Sequence, residues 1–332
     1  MKIQEAKHAA ELELTESLKV LLRKAPRTVP EIAAELGCPA RTVERTLRAL
    51  KAEGSMIHGF VGGKFGFTDA VTLDKGHLTL KADRDGEHRY GFVTDTHLCN
   101  MHSRLDVLNE AYDFFASEGI TKVLHAGNMV DGEMRFNKTE LIVAPGMQSQ
   151  IDYAVQEYPA RKGVKTYFID GDDHEGWYYQ REKVQFGKLL QNDAKAAGRD
   201  DLVYLGYGEA DIALAYNGHE AVARLVHPGG GSAYAISYTD QKRVESYQGG
   251  EKPQIEWVGH YHKFNYGYPR EVHTHQGGCT CDQTMFLRKK RIQAMVGFNT
   301  IGITQSSEDG SIIRYAPEWF PRFDRGYYEK RF

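Results

Sequence analysis

A short apolar run followed by metal-binding residue types recurs five times between residues 90 and 262 of this chain. The first run covers residues 90–93 and leads to Asp95 and His97, which are two positions apart. In an extended strand, residues i and i+2 point to the same side, so this carboxylate and imidazole could bind one divalent metal ion together. Asp-x-His alone is a weak signal. Its repetition in related forms further along the chain is what constrains the fold.

The other four runs predict strands that lead into further candidate ligands. They cover residues 120–124, 164–169, 221–226 and 255–258. The polar side chains that follow them are Asn128, Asp131, Asp173, His174, His227, His260 and His262. With helices predicted at 103–117 and from about 233 to 247, strands and helices alternate as in an α/β domain. Because loops converge at the strand ends of such sheets, one metal site is predicted along a sheet edge.

The composition, with 41% hydrophobic and 26% charged residues, is that of an ordinary globular protein. No run approaches the roughly 18 apolar residues of a membrane span, and the first residues lack the apolar core of a signal peptide. The four cysteines are sparse, and two of them, Cys279 and Cys281, are too close in sequence for an easy disulfide. These features predict a reduced, cytoplasmic protein without a membrane partner.

The first 68 residues carry a different pattern. Apolar spacing predicts helices at 14–24, 30–36 and 40–53, with Gly37 ending the second helix, and a β-hairpin that turns at Gly62 and Gly63. Two short helices joined by a Gly-containing turn are typical of a helix-turn-helix. With the hairpin, the segment resembles a winged helix-turn-helix domain. The predicted domains are this one at 1–68, a linker at 69–88 that includes one candidate strand, and a larger domain at 89–332.

The N-terminal segment is basic. Residues 17–67 contain nine Lys and Arg against four Glu, a balance of +5 in a chain whose net charge is −3. A basic segment on an acidic body indicates an anionic partner, and DNA is the predicted one. The predicted nucleic-acid contacts, four on the third helix and one in the hairpin, are Arg41, Arg45, Arg48, Lys51 and Lys64. The alternative is a module that binds only protein and holds either two subunits, as a homodimer, or another protein partner.

Taken together, the ligand blocks resemble those of the calcineurin-like metallophosphoesterase family. The blocks are Asp95-x-His97, Gly127-Asn128-x-x-Asp131-Gly132, Asp173-His174-Glu175, His227 and Gly259-His260-x-His262. All five occur in the family's order within residues 90–265. The resemblance implies an α/β fold in which a sandwich of two β-sheets is flanked by helices, α/β/β/α in layers.

The resemblance also implies a role for each matching residue. Asp95, His97 and His262 would hold a first metal ion, and Asp173, His227 and His260 a second. Asn128 would bridge the two ions. His174 would lie beside the scissile phosphate as a cationic or proton-donating group, and Asp131 would orient a ligand histidine. The implied cofactors are two divalent transition metals, manganese first, with iron or zinc as alternatives.

Two positions depart from the family pattern. The family's bridging Asp is Asn128 here, and the Asn among its second-metal ligands is Asp173 here. One ligand loses a charge and another gains one, so the total ligand charge is conserved. Under one hypothesis the exchange is compensatory. Under the other, the site binds one metal tightly and is slow or inactive.

The resemblance implies hydrolysis of phosphate esters, in which a hydroxide bridging the two ions attacks phosphorus in line and His174 helps the leaving oxygen. Beside a basic winged helix, this chemistry predicts a phosphodiesterase that acts on DNA as a nuclease. One alternative is a small-molecule phosphomonoesterase or phosphodiesterase whose winged helix serves oligomerisation. The other is a DNA-binding regulator with a vestigial metal site.

Overall fold

The computed structural model describes residues 14–22, 24–52, 57–60, 62–67, 78–133, 141–248, 250, 252–323 and 325, without the side chains of residues 51, 52, 58, 60 and 67. The chain divides into two compact units, Met1–Asp74 and Lys75–Phe332. Each unit has its own hydrophobic core among these residues.

The N-terminal unit combines helices with a small antiparallel sheet. Its elements are α1 at residues 14–22, β1 (Arg27–Thr28), α2 (Val29–Glu35), α3 (Ala40–Ala52), β2 (Ile57–Phe60) and β3 (Lys64–Phe67). The strand order is β1-β3-β2, and the β2–β3 hairpin turns at Gly62 and Gly63, whose φ angles are +81° and +71°. The predicted helices and hairpin are therefore present.

Local sequence explains where these helices begin and end. The Thr28 side chain accepts a hydrogen bond from the Glu31 backbone, and the Glu31 carboxylate accepts one from the Thr28 backbone at 2.7 Å, which caps the start of α2. Gly37, with φ of +61°, lies just beyond the end of α2. Val43 and Leu47 turn the apolar face of α3 into the core of this unit. The assignment of the unit as a winged helix-turn-helix stays a prediction.

The C-terminal unit is built on two six-stranded mixed sheets. Its strands are β4 (Leu78–Lys81), β5 (Glu87–Val93), β6 (Lys122–His125), β7 (Lys165–Asp170), β8 (Leu202–Tyr207), β9 (Glu209–Tyr216), β10 (His219–Val226), β11 (Ile255–Val258), β12 (Phe264–Gly267), β13 (His273–Gly277), β14 (Val296–Gln305) and β15 (Ile312–Arg322). Its helices are α4 (Leu105–Ser117), α5 (Met147–Glu157), α6 (Gly176–Glu182), α7 (Phe186–Ala196), α8 (Tyr238–Ser246) and α9 (Met285–Lys290), with a short 3-10 helix at Pro269–Glu271.

The first sheet has the order β15-β14-β5-β6-β7-β8, and its strands from β5 to β8 are parallel. The second has the order β12-β13-β11-β10-β9-β4, with β13, β11 and β10 parallel to one another. Parallel neighbours bring the carboxyl ends of their strands to one edge, which is where the predicted ligands follow.

Successive side chains along the strands of the first sheet point alternately to two different cores, one between the sheets and one under the helices. Leu124 and Ile169 of the first sheet pack in one core with residues of the second sheet, such as Trp257. Their neighbours Val123 and Phe168 face the opposite side and pack in a second core with α4, α5 and α7. The helix α8 is joined to the second sheet by the ion pair between Arg243 and Glu256, at 2.8 Å. The predicted sandwich of two sheets flanked by helices is confirmed.

Two predicted boundaries differ from the structure. Residues 78–88 were predicted as linker, but β4 pairs in parallel with β9 and Leu80 is buried in the core between the sheets, so the C-terminal unit begins before residue 89. Residues 68–77 of the linker lie outside the described residues. The helix predicted from about residue 233 begins only at Tyr238. Among the described residues, the structure has no helix with the length and apolar character needed to cross a membrane.

Candidate metal centre

The carboxyl ends of five strands supply the candidate ligands. Asp95 and His97 follow β5, Asn128 follows β6, and Asp173 and His174 follow β7, all in the first sheet. The ligands that follow β10 and β11 of the second sheet are His227, His260 and His262. The edges of the two sheets meet here, because His227 Nδ1 donates to the Ala126 carbonyl at 2.6 Å and the His260 backbone donates to Asp95 Oδ2 at 2.8 Å.

Most of these residues have a left-handed backbone conformation. The six with positive φ angles are Asp95 (51°), His97 (44°), Asn128 (54°), His174 (56°), His260 (78°) and His262 (54°). Asp, Asn and His are the non-glycine residues that tolerate this region best, although each such residue still costs energy. Strained backbone of this kind concentrates at functional sites, where the surrounding structure holds it in place.

Asp95, His97 and His262 form the tightest group of possible ligands. The two histidine Nε2 atoms are 3.1 Å apart, and Asp95 Oδ1 lies 3.4 Å from His262 Nε2 and 3.8 Å from His97 Nε2. All three side chains are buried, and their ligand atoms lie within 4.8 Å of one another. The structure thus brings together the three residues predicted to hold the first metal.

Asp131 holds two of the histidines in place. Its Oδ1 accepts a hydrogen bond from His97 Nδ1 at 3.1 Å, which leaves His97 Nε2 with a lone pair for a metal ion. His174 Nδ1 lies 3.4 Å from the same oxygen and donates to the Asp131 backbone carbonyl at 2.7 Å. Asn100 Nδ2 donates to the other carboxylate oxygen at 2.9 Å. Asp131 therefore links the first group to His174.

Several buried side-chain atoms have no hydrogen-bond partner among the described residues, and two acceptors of predicted ligands are among them. His227 Nε2 is one, since the bond from Nδ1 to the Ala126 carbonyl fixes the proton on Nδ1. Asn128 Oδ1 is the other, while its Nδ2 donates to Asp95 Oδ1 at 3.2 Å. Buried acceptors are normally satisfied, so these two lone pairs fit a bound cation.

The predicted second set is assembled less completely. His260 Nε2 lies 2.7 Å from the Gly230 carbonyl, to which it donates. Within the part of the chain that the structure describes, Asp173, His227 and His260 do not place their ligand atoms within 4.8 Å of one another. The second group that does so consists of His97, Asp131 and His174.

Burial and neighbouring charges shift the pKa values of these groups. Burial disfavours the charged form of Asp95, but His262, His227 and His97 lower its pKa well below the usual range. Burial lowers the pKa of His227 to about 3 and, with the positive charge of His174, lowers that of His97 to about 4. Burial opposes protonation of His174 too, but hydrogen bonding and attraction to Asp131 raise its pKa. At neutral pH the site therefore offers an anionic carboxylate at Asp95 and neutral imidazoles at His227 and His97, which are the forms that bind metals. Burial opposes protonation of His262, but Cys279 and Asp95 raise its pKa to about 10, so a metal ion bound there would displace a proton.

The supporting roles of several residues were not predicted from the sequence. Thr94 Oγ1 donates to Asp95 Oδ2 at 2.7 Å and so orients that carboxylate. Glu175 Oε1 accepts from the Gly171 and Met129 backbones at 2.8 and 3.3 Å, which ties the loop after β7 to the loop after β6. Asp172 Oδ1 accepts from Tyr207 at 2.9 Å. Thr94 precedes Asp95 and Glu175 follows His174 in the sequence, and this adjacency was the one feature of the sequence that could have indicated their supporting roles.

The predicted nucleic-acid contacts lie in the N-terminal unit. Arg41, Arg45 and Arg48 are exposed on α3, where Arg48 lies 4.0 Å from Glu44. Lys64 is exposed at the start of β3, and the side chain of Lys51 lies outside the described residues. Their role in binding stays a prediction.

Comparison with models of known protein families found no match, and comparison with curated protein sequences found none. Among solved structures, this chain is similar to a novel archaeal phosphodiesterase, with 12% identity over 70% of this chain and 100% of that one and a TM-score of 0.36. Vacuolar protein sorting 29 from Cryptosporidium parvum has 12% identity over 72% of this chain and 100% of that one, with a TM-score of 0.36. Vps29 from Entamoeba histolytica, complexed with Zn²⁺, has 12% identity over 70% of this chain and 99% of that one, with a TM-score of 0.34. A fold hosts many functions, so these similarities do not by themselves establish an activity.

Proposed function

We propose that this protein is a calcineurin-like metallophosphoesterase that hydrolyses phosphodiesters with bound divalent metal ions. The observation that carries the proposal is the buried group of Asp95, His97 and His262, whose ligand atoms converge within 4.8 Å. The unpartnered lone pairs of His227 Nε2 and Asn128 Oδ1 extend the set of acceptors beyond this group. Buried acceptors gathered without donors are costly, and a cation relieves that cost.

Divalent ions, manganese first and iron or zinc as alternatives, would activate water and neutralise phosphoryl charge when bound. Asp95, His97 and His262 would hold one ion, and His227 and Asn128 belong to the set that would hold another. Thr94 Oγ1 and the His260 backbone both donate to Asp95 Oδ2. Asp95 Oδ1 accepts only from Asn128 Nδ2 among the described hydrogen bonds, so it is the oxygen with a lone pair for the ion. Asp131 accepts a hydrogen bond from His97 Nδ1, which leaves Nε2 as the ligand atom of His97.

His174 would transfer a proton to the leaving oxygen. Its Nδ1 is engaged by the Asp131 carbonyl and carboxylate, so Nε2 is the atom that can carry the proton. The His174 and His97 rings are 4.4 Å apart between centroids, so this proton would be delivered beside the first group of ligands.

DNA is the proposed substrate. The arginines of α3 support this, because Arg41 and Arg45 are exposed on a helix that presents its apolar face to the core of the N-terminal unit. A duplex held by such a helix would raise the local concentration of phosphodiesters at the metal centre. A DNA-binding regulator with an impaired site is the second candidate, and the neutral amide of Asn128 beside Asp95 is the observation that favours it.

The test is metal-dependent hydrolysis of bis-p-nitrophenyl phosphate, p-nitrophenyl phosphate, and single-stranded and duplex DNA. His174→Ala removes the proposed proton donor, and His219→Ala is the matched control, since His219 lies at the start of β10, at the opposite end of the strand from His227. We expect cleavage of DNA and of the diester by the wild type and the control, and its loss in His174→Ala. Hydrolysis of the monoester alone would contradict the nuclease. Tight duplex binding without hydrolysis of any ester would favour the regulator.

A further inference from the structure

A second strongly basic surface lies in the C-terminal unit, at residues 285–291. We call it the basic rim loop; it comprises α9 (Met285–Lys290) and Arg291. It contains four consecutive cations, Arg288, Lys289, Lys290 and Arg291, all exposed. Beside them the ring of Phe286 is 55% exposed, with Lys290 Nζ 5.9 Å from its centroid. This surface took no part in the sequence-based prediction of DNA contacts.

The chain on either side of the basic rim loop is bonded to the candidate metal centre. Before the loop, the Thr280 backbone donates to the Asp95 carbonyl at 3.3 Å. After it, the Met295 backbone donates to the His262 carbonyl at 2.8 Å. The base of the loop is closed by Gln283, which donates to the Ile292 carbonyl at 2.7 Å and accepts from the Ala294 backbone at 2.9 Å. The loop is therefore fixed to the two segments that carry Asp95 and His262.

The charges of the basic rim loop are not balanced locally. Its sequence neighbourhood contains no Asp or Glu between Asp282 and Glu308. No ion pair joins any of its four cations to another residue that the structure describes. Cations in the last turn of α9 interact favourably with the helix dipole, and one or two of them would be enough for that stabilisation. Four adjacent positive charges also repel one another. An unbalanced, exposed cluster of this kind favours an extended polyanion.

We propose that the basic rim loop binds the sugar-phosphate backbone of a nucleic-acid strand whose scissile phosphate lies at the metal centre. This rests on the proposed function. A small phosphate ester could not contact four cations on a surface outside the metal site, whereas a strand continues past the cleaved bond in both directions. The exposed Phe286 ring suits stacking on an unpaired base, so a single-stranded segment is the form that this surface fits.

An anionic membrane is the rival partner, since Met285 and Phe286 are exposed beside the cations. The helix has 6 residues, a length of about 9 Å, which is short for a helix that lies in a membrane interface. The nucleic acid is favoured because the backbone bonds at the base of the loop tie it to the segments that carry Asp95 and His262.

The experiment uses a rim-loop variant in which Lys289 and Lys290 are both replaced by Ala. It is compared with a control variant in which Lys162 and Lys165 are both replaced by Ala. The control removes the same charge next to the start of β7, at the opposite end of the strand from Asp173 and His174. Both pairs are made in the full chain carrying Arg41→Ala and Arg45→Ala, so that the predicted duplex contact of α3 does not obscure the result. Binding of a labelled single-stranded oligonucleotide is measured by fluorescence anisotropy over a salt series, with a chelator present to prevent cleavage.

We expect the rim-loop variant to lose roughly ten- to thirtyfold in affinity at 0.15 M salt, with a salt slope lower by about 1.4, because two phosphate contacts to a single strand are removed. The Lys162 and Lys165 control should bind like its parent. Equal affinities in the two variants would overturn the proposal. So would a rim-loop variant that keeps its oligonucleotide affinity and loses binding to phosphatidylserine vesicles.

Hydrolysis of bis-p-nitrophenyl phosphate by the wild type is measured separately. If the ester is hydrolysed and the oligonucleotide affinities do not differ, the basic rim loop is not a binding surface while the proposed function stands. If the ester is not hydrolysed with any metal, the proposed catalysis fails, and a lower affinity of the rim-loop variant still identifies a nucleic-acid surface. Thermal unfolding of both variants checks that they fold, since exposed lysines change stability little.

Discussion

Asp131 fixes the relative positions of the groups proposed to bind metal and to transfer a proton. One carboxylate oxygen contacts both His97 and His174, and the other accepts from Asn100. A carboxylate in this position sets the tautomer of a ligand histidine and raises its basicity. At the scale of single residues, the two proposed tasks of the site are therefore coupled through one side chain.

Asp131→Asn should weaken metal binding and slow hydrolysis by about ten- to a hundredfold, because the amide keeps the shape but loses the charge that holds His97 and His174. Metal affinity by calorimetry and the rate with bis-p-nitrophenyl phosphate would measure both effects. Asp152→Asn on α5 is the control, since Asp152 is exposed and contacts Gln148. A variant that loses rate but keeps its metal affinity would limit Asp131 to the positioning of His174.

Asn128→Asp should destabilise the metal-free protein and increase metal affinity. In the wild type, Asn128 donates to Asp95, whereas a second buried carboxylate there would repel it until a cation binds. The expected result is a lower melting temperature in chelator and a larger rise on adding manganese than the wild type shows.

Asn128→Asp combined with Asp173→Asn tests the hypothesis of a compensatory exchange. Compensation requires the double variant to recover the activity that each single change removes. The structure gives no hydrogen bond between Asn128 and Asp173 among the described residues, so we expect the two effects to add. Higher activity in Asn128→Asp alone would mean that the natural site is impaired.

The order of the motifs was enough to predict that Asp95, His97 and His262 would come together, although His262 is far from the others in sequence. The same motifs did not predict that Asn128 would turn its amide nitrogen toward Asp95. Nor did they predict the support from Thr94. Residue type and spacing determine which strand ends converge, whereas rotamers and hydrogen-bond partners depend on packing that only the folded chain defines.

At the scale of elements, close contact between α4 and β5 determines where Asp95 is presented. A Cβ atom on Gly91 would lie 2.7 Å from the ring of Phe115, so only glycine allows this helix to pack against this strand without a shift. Four residues further along, the same segment carries Asp95. Packing on one face of β5 therefore bears directly on the geometry of the site.

Gly91→Ala should destabilise the protein by about 1–3 kcal/mol, because the ring and the helix must move to admit a methyl group. The control is Gly302→Ala in the neighbouring strand β14, where the added Cβ would meet nothing closer than 3.9 Å. Chemical denaturation of both variants would measure the difference. Equal losses would show that glycine matters here through backbone freedom rather than through the contact with Phe115.

Element prediction succeeded where a pattern was local and failed where pairing was distant. The run at residues 255–258 was predicted as the strand observed, because three apolar residues in four, between turn signals, are a local feature. The candidate strand in the linker is observed as β4, but its place in the second sheet was not predicted, since its partner β9 begins only at Glu209. Sequence separation of this size hides the pairing that buries Leu80.

At the scale of the whole molecule, charge is divided between two units. Residues 17–67 carry nine Lys and Arg against four Glu, while the chain has a net charge of −3. The basic rim loop is a local exception in the acidic remainder. If both basic surfaces bind nucleic acid, the N-terminal unit would contribute affinity for the duplex and the basic rim loop affinity for a single strand, and each could be altered separately.

Arg41→Ala with Arg45→Ala should abolish binding of duplex DNA by the full chain while leaving hydrolysis of bis-p-nitrophenyl phosphate unchanged. The reason is that both side chains lie on α3 in the N-terminal unit, outside the metal centre. Anisotropy with a labelled duplex gives the affinity. As a control, Lys19→Ala on α1 combined with Lys24→Ala, two positions after residue 22, removes the same charge. Unchanged duplex affinity in the arginine variant would end the DNA-binding interpretation of this unit.

The left-handed backbone at Asp95, His97, Asn128, His174, His260 and His262 has a consequence for variation in this chain. Besides the residue present, the amino acids that tolerate these φ angles well are glycine, asparagine, aspartate and histidine. Most random substitutions at these six positions would reduce the yield of folded protein, so selection against them would act before any selection for catalysis. A mutational scan scored only on the yield of folded protein would therefore outline this site without a single measurement of activity.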